Sequence, residues 1–119
     1  MEVMRSFLVF FYILDQGYDQ CKGNDLGRFL GTISPELWGD GLPADKAIYN
    51  DWQNANNFQT IEENNIIKKI YDFLEGYERE FGFDFCKIKE WLIMSANQEI
   101  VRRAYDKADM MCQKFKYDI

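Results

Sequence analysis

Histidine is absent from this chain of 119 residues. That removes the side chain most often used as a general base and metal ligand near neutral pH. No Ser-His or Cys-His nucleophile pair can be built without it. Cysteine is scarce, and Cys21, Cys86 and Cys112 form no CxxC pair. A structural zinc site therefore lacks its ligand set. Three widely spaced thiols fit free cysteines in a reducing cytoplasm better than a disulfide framework. Proline is limited to Pro35 and Pro43. Long apolar runs are missing too. Phe7 to Leu14 follows Arg5 in the manner of a secretory signal, but Asp15 ends the run and no small-residue cleavage site follows. A membrane span needs about 20 apolar residues, so this run reads as a buried helix. No GxxxxGK[ST] or GxGxxG phosphate loop occurs. The stretch after Asp40 fails the EF-hand pattern, because Leu42 and Ala44 stand where oxygen ligands belong. Neither cofactor nor metal is expected.

What is present is apolar surface. Hydrophobic residues make up 47% and aromatics 17% of the chain. That is enough for the core of one domain and argues against disorder. The whole chain, 1–119, reads as a single helical domain.

Charge is unevenly placed. Residues 1–65 hold ten acids and four bases, giving −6, whereas residues 66–119 hold ten of each. Within 29–67 the acids Glu36, Asp40, Asp45, Asp51, Glu62 and Glu63 face Lys46 alone. Such a surface disfavours nucleic acid and anionic membrane and favours a basic partner.

Helical spacing dominates the pattern. Residues 3–21 carry Phe7, Phe10, Phe11, Leu14, Tyr18 and Cys21 on one face, widened by Leu8 and Tyr12. Gly23 ends this helix, and Asn24 or Asp25 is placed to cap the next. Leu26, Phe29, Leu30 and Ile33 mark a second helix, with Gly27 allowing close backbone approach. A third, about 45–57, points Ile48, Trp52 and Ala55 inward. Thr60 and Glu63 have the spacing of a capping box for a fourth. Its stripe is Ile66, Ile70, Phe73, Leu74, Tyr77 and Phe81, with Glu75 and Arg79 one turn apart, and Gly82 closes it. Asp84 is placed to cap a fifth helix with Phe85, Ile88 and Leu92 inward. The stripe continues through Ala96, Ile100, Ala104, Ala108, Met111 and Phe115, and the spacing of Ser95 to Gln98 favours a break there. The fold class is all-α, a bundle of five to six helices with a Gly/Pro-rich aromatic loop at about 34–44.

That loop and the helix after it, ISPELWGDGLPADKAIYNDW from Ile33 to Trp52, are the most distinctive stretch. Ser34-Pro35 is a helix-start signal, and Gly39 and Gly41 suit a tight turn. Leu37, Trp38 and Trp52 could plug a corner of the core. The alternative is a recognition loop on a rigid scaffold. The candidate partner-binding residues are Glu36, Trp38, Asp40, Asp45, Tyr49, Asp51, Glu62 and Glu63, with Trp38 or Tyr49 as apolar anchor.

Two further readings compete with a binding module. Glu75 with Glu78, and Asp106 with Asp109, place acids three apart on helices. Facing each other, they could hold Mg²⁺, which resembles the ExxE and ExxD pairs of all-α nucleotide pyrophosphohydrolases, with DxxD here in place of ExxD. A homo-oligomer built on excess aromatic surface is the other. All three thiols read as buried and structural.

The segment DGLPADKAIYNDW, Asp40 to Trp52, resembles small bacterial helical proteins in which an Asp-Gly turn leads into a helix ending near Asp-Trp. Among proteins of this type are immunity partners of polymorphic or contact-dependent toxins. The resemblance covers at most about a third of the chain and brings no catalytic residue. It implies a cytoplasmic monomer or homodimer, without catalysis, that docks a basic, toxin-like protein.

Overall fold

A computed structural model describes residues 2–35, 46–56 and 62–114. Those residues form six α-helices and no strand: α1 (Glu2–Tyr18), α2 (Asn24–Ile33), α3 (Lys46–Ala55), α4 (Ile66–Phe81), α5 (Cys86–Met94) and α6 (Gln98–Lys114). The chain is an all-α bundle. No helix among the described residues is long and apolar enough to cross a membrane.

The first helix is the axis of the packing. Phe7, Leu8, Val9, Phe10, Ile13 and Leu14 are all fully buried. A helix apolar on every side must be covered on every side. Here α6 lies along it most extensively, and α2, α3 and α5 close the remainder. Arg5 ties the α6 contact, since its Nε donates to Asp109 Oδ1 at 2.6 Å and its second nitrogen to Oδ2 at 3.3 Å. Gly17 sets the approach of α5. A Cβ there would lie 2.7 Å from Ile88 Cδ1 and from a Trp91 ring carbon, so only a residue without a side chain fits.

Aromatic rings fill the space between the helices. Phe10 stacks on Trp52 at 4.5 Å between centroids and meets Phe73 edge-on at 5.3 Å. Such pairs contribute about 0.5–1.5 kcal/mol beyond the area they bury. Trp52 has no exposure, and its indole N–H donates to Ser6 Oγ at 3.0 Å, which satisfies the one polar group the ring takes inside. Trp52 is therefore core.

Several local expectations need correction. The first helix stops at Tyr18, three residues early, and Cys21 turns back to donate its N–H to Gly17 O at 3.0 Å. At the start of α2 the capping position is Gly23, without a side-chain cap. Asp25 serves elsewhere, accepting the Asp84 N–H at 2.7 Å. On α3 the buried stripe is Ile48, Trp52 and Asn56, while Ala55 is exposed; Asn56 enters because its Nδ2 donates to Trp52 O at 2.7 Å. Helix α4 begins at Ile66 with Asn65 at the capping position, behind a turn in which Asn65 N–H donates to Glu62 O at 3.0 Å, and Thr60, the first residue of the expected box, lies outside the described residues. Phe81 is 54% exposed at the end of its stripe.

Other expectations hold. Leu26, Phe29, Leu30 and Ile33 are buried together, and a Cβ on Gly27 would sit 3.0 Å from the Tyr18 hydroxyl. Gly82 closes α4 at φ 76°, a left-handed turn that favours glycine, with its N–H on Glu78 O. The break before α6 is present, capped by Asn97 Oδ1 accepting the Ile100 N–H at 3.1 Å rather than by Ser95. Asp84 Oδ1 accepts the Cys86 N–H at 3.1 Å just before α5, but the capping position itself is Phe85, without a side-chain cap.

Candidate functional site

Of the eight candidate partner residues, Glu36, Trp38, Asp40 and Asp45 lie outside the described residues. Tyr49 and Asp51 are two positions apart on α3, which turns them to different sides of the helix. Tyr49 sets its ring edge-on to Phe7 at 5.1 Å and is half-buried. Desolvation raises its hydroxyl above the usual tyrosine value. Asp51 is exposed, and it accepts a hydrogen bond from the Tyr77 hydroxyl at 2.5 Å. Part of its capacity is thus spent inside the fold. Glu62 and Glu63 are exposed in the turn before α4.

Those two glutamates line one cleft of about 520 Å³. Ile67 at the start of α4 shares their side. Ala96, Asn97 and Val101, from the α5–α6 turn and the first turn of α6, form the facing side. The cleft exists because two helix starts lie next to each other. Each start is held by local bonds: Asn65 to Glu62 on one side, Asn97 to Ile100 and Val101 on the other. Neither glutamate carboxylate has an ion pair or side-chain hydrogen bond among the described residues. Among the described residues no lysine or arginine lines the cleft. Of the two lysines next along α4, Lys68 pairs with Asp72 at 2.9 Å and Lys69 is exposed without an ion pair among the described residues. Glu99, just beyond the far wall, is engaged by Arg102 at 2.6 Å and Arg103 at 3.3 Å.

The carboxylates proposed for a metal behave differently. Glu78 Oε1 pairs with Lys89 at 2.5 Å, and its Oε2 accepts the Phe85 N–H at 2.8 Å. One side chain thereby ties α4, the turn after it and α5. The hydrogen bond to Glu78 is the main reason the Lys89 amine is raised above its usual value, while burial pulls the other way. Asp109 is the partner of Arg5. Among the described residues no group of three or more acids and cysteines is placed to hold a metal ion. The two acid pairs therefore do not build a shared centre. Nor do Glu75 and Arg79 form an ion pair; the salt bridge at this corner runs between helices instead.

A second cleft, about 500 Å³, lies between the starts of α2 and α5 and is lined by Cys21, Lys22, Asp25, Asp84, Cys86 and Lys87. Its acids already receive backbone N–H groups. The Cys21 thiol is buried and points at Lys87 O at 3.6 Å, and desolvation raises it above the usual thiol value against the lowering effect of Lys87. Cys112 is buried as expected, whereas Cys86 is exposed on the first turn of α5. Sequence reasoning missed that exposure because Cys86 adjoins the buried Phe85.

The chain matches no protein-family model, no characterised protein and no solved structure.

The far wall of the Glu62–Glu63 cleft was not anticipated. Residues 96–101 lie more than thirty positions away, and only the helix break at 95–98 hinted that chain ends gather there.

Proposed function

We propose that this chain is a non-catalytic protein-binding module that docks a basic protein through its acidic segment, about 29–67. The bacterial immunity-type reading gives that partner a natural identity, a cationic toxin neutralised in the cytoplasm. The observation that carries the proposal is the acid surplus of that segment, six acids against Lys46 alone. Elsewhere among the described residues Glu78, Glu99, Asp72 and Asp109 are taken up by cations of the same chain, whereas Glu75, Glu80, Glu90 and Asp106 make no ion pair. Glu62 and Glu63, within the acid-rich segment, are exposed and make no ion pair among the described residues. Uncompensated carboxylates speed encounter with a cation and set the salt dependence of association, while an apolar anchor governs dissociation.

The test uses the purified products of the neighbouring genes, since a toxin is normally encoded beside its antidote. Association rates are measured for the wild type and for Glu36→Lys with Asp40→Lys. The wild-type rate should fall as salt rises, because exposed charges are screened over about 8 Å at physiological salt. The reversed variant, with its helicity verified, should associate at least tenfold more slowly at low salt. Equal rates at low and high salt alike would end the electrostatic docking idea.

The homo-oligomer reading has one observation in its favour. Ile93 and Met94 at the end of α5 are 67% and 76% exposed, and Met110 on α6 is 68% exposed. Light scattering of the pure protein distinguishes it, since a monomer at high concentration excludes a self-assembling surface.

A further inference from the structure

We infer that Cys21 and Cys86 are a redox pair, free as thiols in a reducing medium and joined as a disulfide when glutathione disulfide accumulates. The pair does not depend on the docking reading. Both residues line the cleft between the α1–α2 turn and the start of α5. The Cys21 sulfur touches Lys87 O at 3.6 Å, and Lys87 directly follows Cys86. Standard backbone dimensions then keep the Cys86 Cα within about 10 Å of the Cys21 sulfur. A disulfide needs its two Cα atoms about 4.4–6.8 Å apart, so closure asks one wall of the cleft to move. The α1–α2 turn is the wall that can. From Asp19 to Asn24 only Cys21 is buried. A Cβ on Gly23 would meet nothing nearer than Cys21 O at 3.9 Å, so the turn is loosely surrounded there. Opposite it, Cys86 is exposed on the first turn of α5, whose capping position has no side-chain cap. Cys112 is buried on α6 and does not line this cleft.

The exposed thiol reacts first. Cys86, as thiolate, attacks one sulfur of glutathione disulfide; that S–S bond breaks and one glutathione leaves as thiolate. Cys21 then releases Lys87 O, gives up its proton and attacks the Cys86 sulfur, expelling the second glutathione. Lys87 favours the Cys21 thiolate, against the burial that otherwise opposes it. The two protein thiols lose two electrons to glutathione disulfide, and their two protons pass to the two glutathiones formed. The bridge ties the α1–α2 turn to α5.

The test equilibrates the reduced full chain with glutathione disulfide at neutral pH, quenches it with acid and measures intact mass. The expected product has lost two hydrogens and keeps one free thiol, Cys112. On digestion it yields two peptides joined through Cys21 and Cys86. Cys21→Ser should stop at a glutathione adduct on Cys86, and Cys86→Ser should remain unmodified with its helicity unchanged. Because Cys86 is exposed, that variant and the wild-type digest decide the matter even if Cys21→Ser does not fold. Amide exchange over 19–25 and 84–88 should slow at least fivefold in the bridged form. A lasting glutathione adduct on wild-type Cys86, a bridge to Cys112, or a dimer linked through Cys86 would each overturn the pair. Unchanged exchange would overturn the tie between turn and helix.

Discussion

Two corners of the bundle present glutamate to a neighbouring helix, and they use it in opposite ways. At the α4–α5 corner Glu78 is held by Lys89 and by the Phe85 N–H, with both side chains of the ion pair about four-fifths buried. Rings crowd the same corner: Phe83 stacks on Phe85 at 5.3 Å, and Phe29 meets Phe85 edge-on at the same separation. At the other corner Glu62 and Glu63 face an open cleft with no cation on its walls among the described residues. The comparison teaches that a carboxylate on a helical protein acquires its role from what the opposite helix brings. Where a cation and a free N–H arrive, the acid becomes a staple. Where apolar residues and amides arrive, the carboxylate stays in water.

The core sets the scale against which both corners are judged. Trp52→Ala should cost about 3–5 kcal/mol, because it removes a fully buried ring and leaves a cavity against Phe10 and Phe73. Asp51→Ala should cost about 1 kcal/mol, the loss of the Tyr77 hydrogen bond. Thermal melts of the two variants provide the check; coincident melting temperatures would mean that α3 presents a different face.

The sharpest test of the contrast itself compares glutamates. Glu78→Ala should lose about 2–3 kcal/mol, since it strands Lys89 and the Phe85 N–H in partly buried positions. Glu62→Gln with Glu63→Gln should stay within about 0.5 kcal/mol of the wild type. Urea unfolding of both would break the comparison if the losses came out alike.

Alkaline pH should loosen the stapled corner and spare the open one. Lys89 has its proton affinity raised in the folded state, so the stability it lends is complete below its ordinary value of 10.5 and is lost as pH rises through the higher folded value. Cys21 and Tyr49 are raised as well, from ordinary values of 9.0 and 10.0. By the same sign they favour the fold below those values and lose that contribution above them. Stability should therefore decline from about pH 9 upward. In Lys89→Met the part of the decline above about pH 10.5 should be smaller. An unchanged alkaline limb would show that the Glu78 pair is not linked to folding.

The smallest effect concerns the thiols. Intact mass without reductant should show three free cysteines. A chromogenic disulfide reagent at neutral pH should modify exposed Cys86 first, with buried Cys21 and Cys112 reacting only as the chain opens. Simultaneous reaction of all three would mean that the region around Cys21 opens readily.

Much of the fold was legible from residue order alone. The 3.6-residue stripes named the buried faces of α2 and α4 almost residue by residue, because a helix can bury only what its own spacing lines up. The unrelieved apolar character of Phe7 to Leu14 marked α1 as the helix to be surrounded. Boundaries were less legible. Ser95 and Asp25 both had capping chemistry, yet the caps fell elsewhere, since a capping side chain can only use the N–H groups that tertiary packing leaves free. Ala55 and Asn56 exchanged roles for a similar reason: one side-chain bond to Trp52 O outweighed the preference for apolar burial.

Composition and periodicity by themselves determined an all-α chain, an aromatic core and an acid surplus in the first half, because these follow from residue type and from spacing along one helix. Only the tertiary structure decided which carboxylates are spent and which remain. Glu78 and Glu62 are alike as residues, and what separates them is Lys89 on one side and Ala96 to Val101 on the other. Charge compensation acts over a few ångströms of space, and sequence distance carries no record of it.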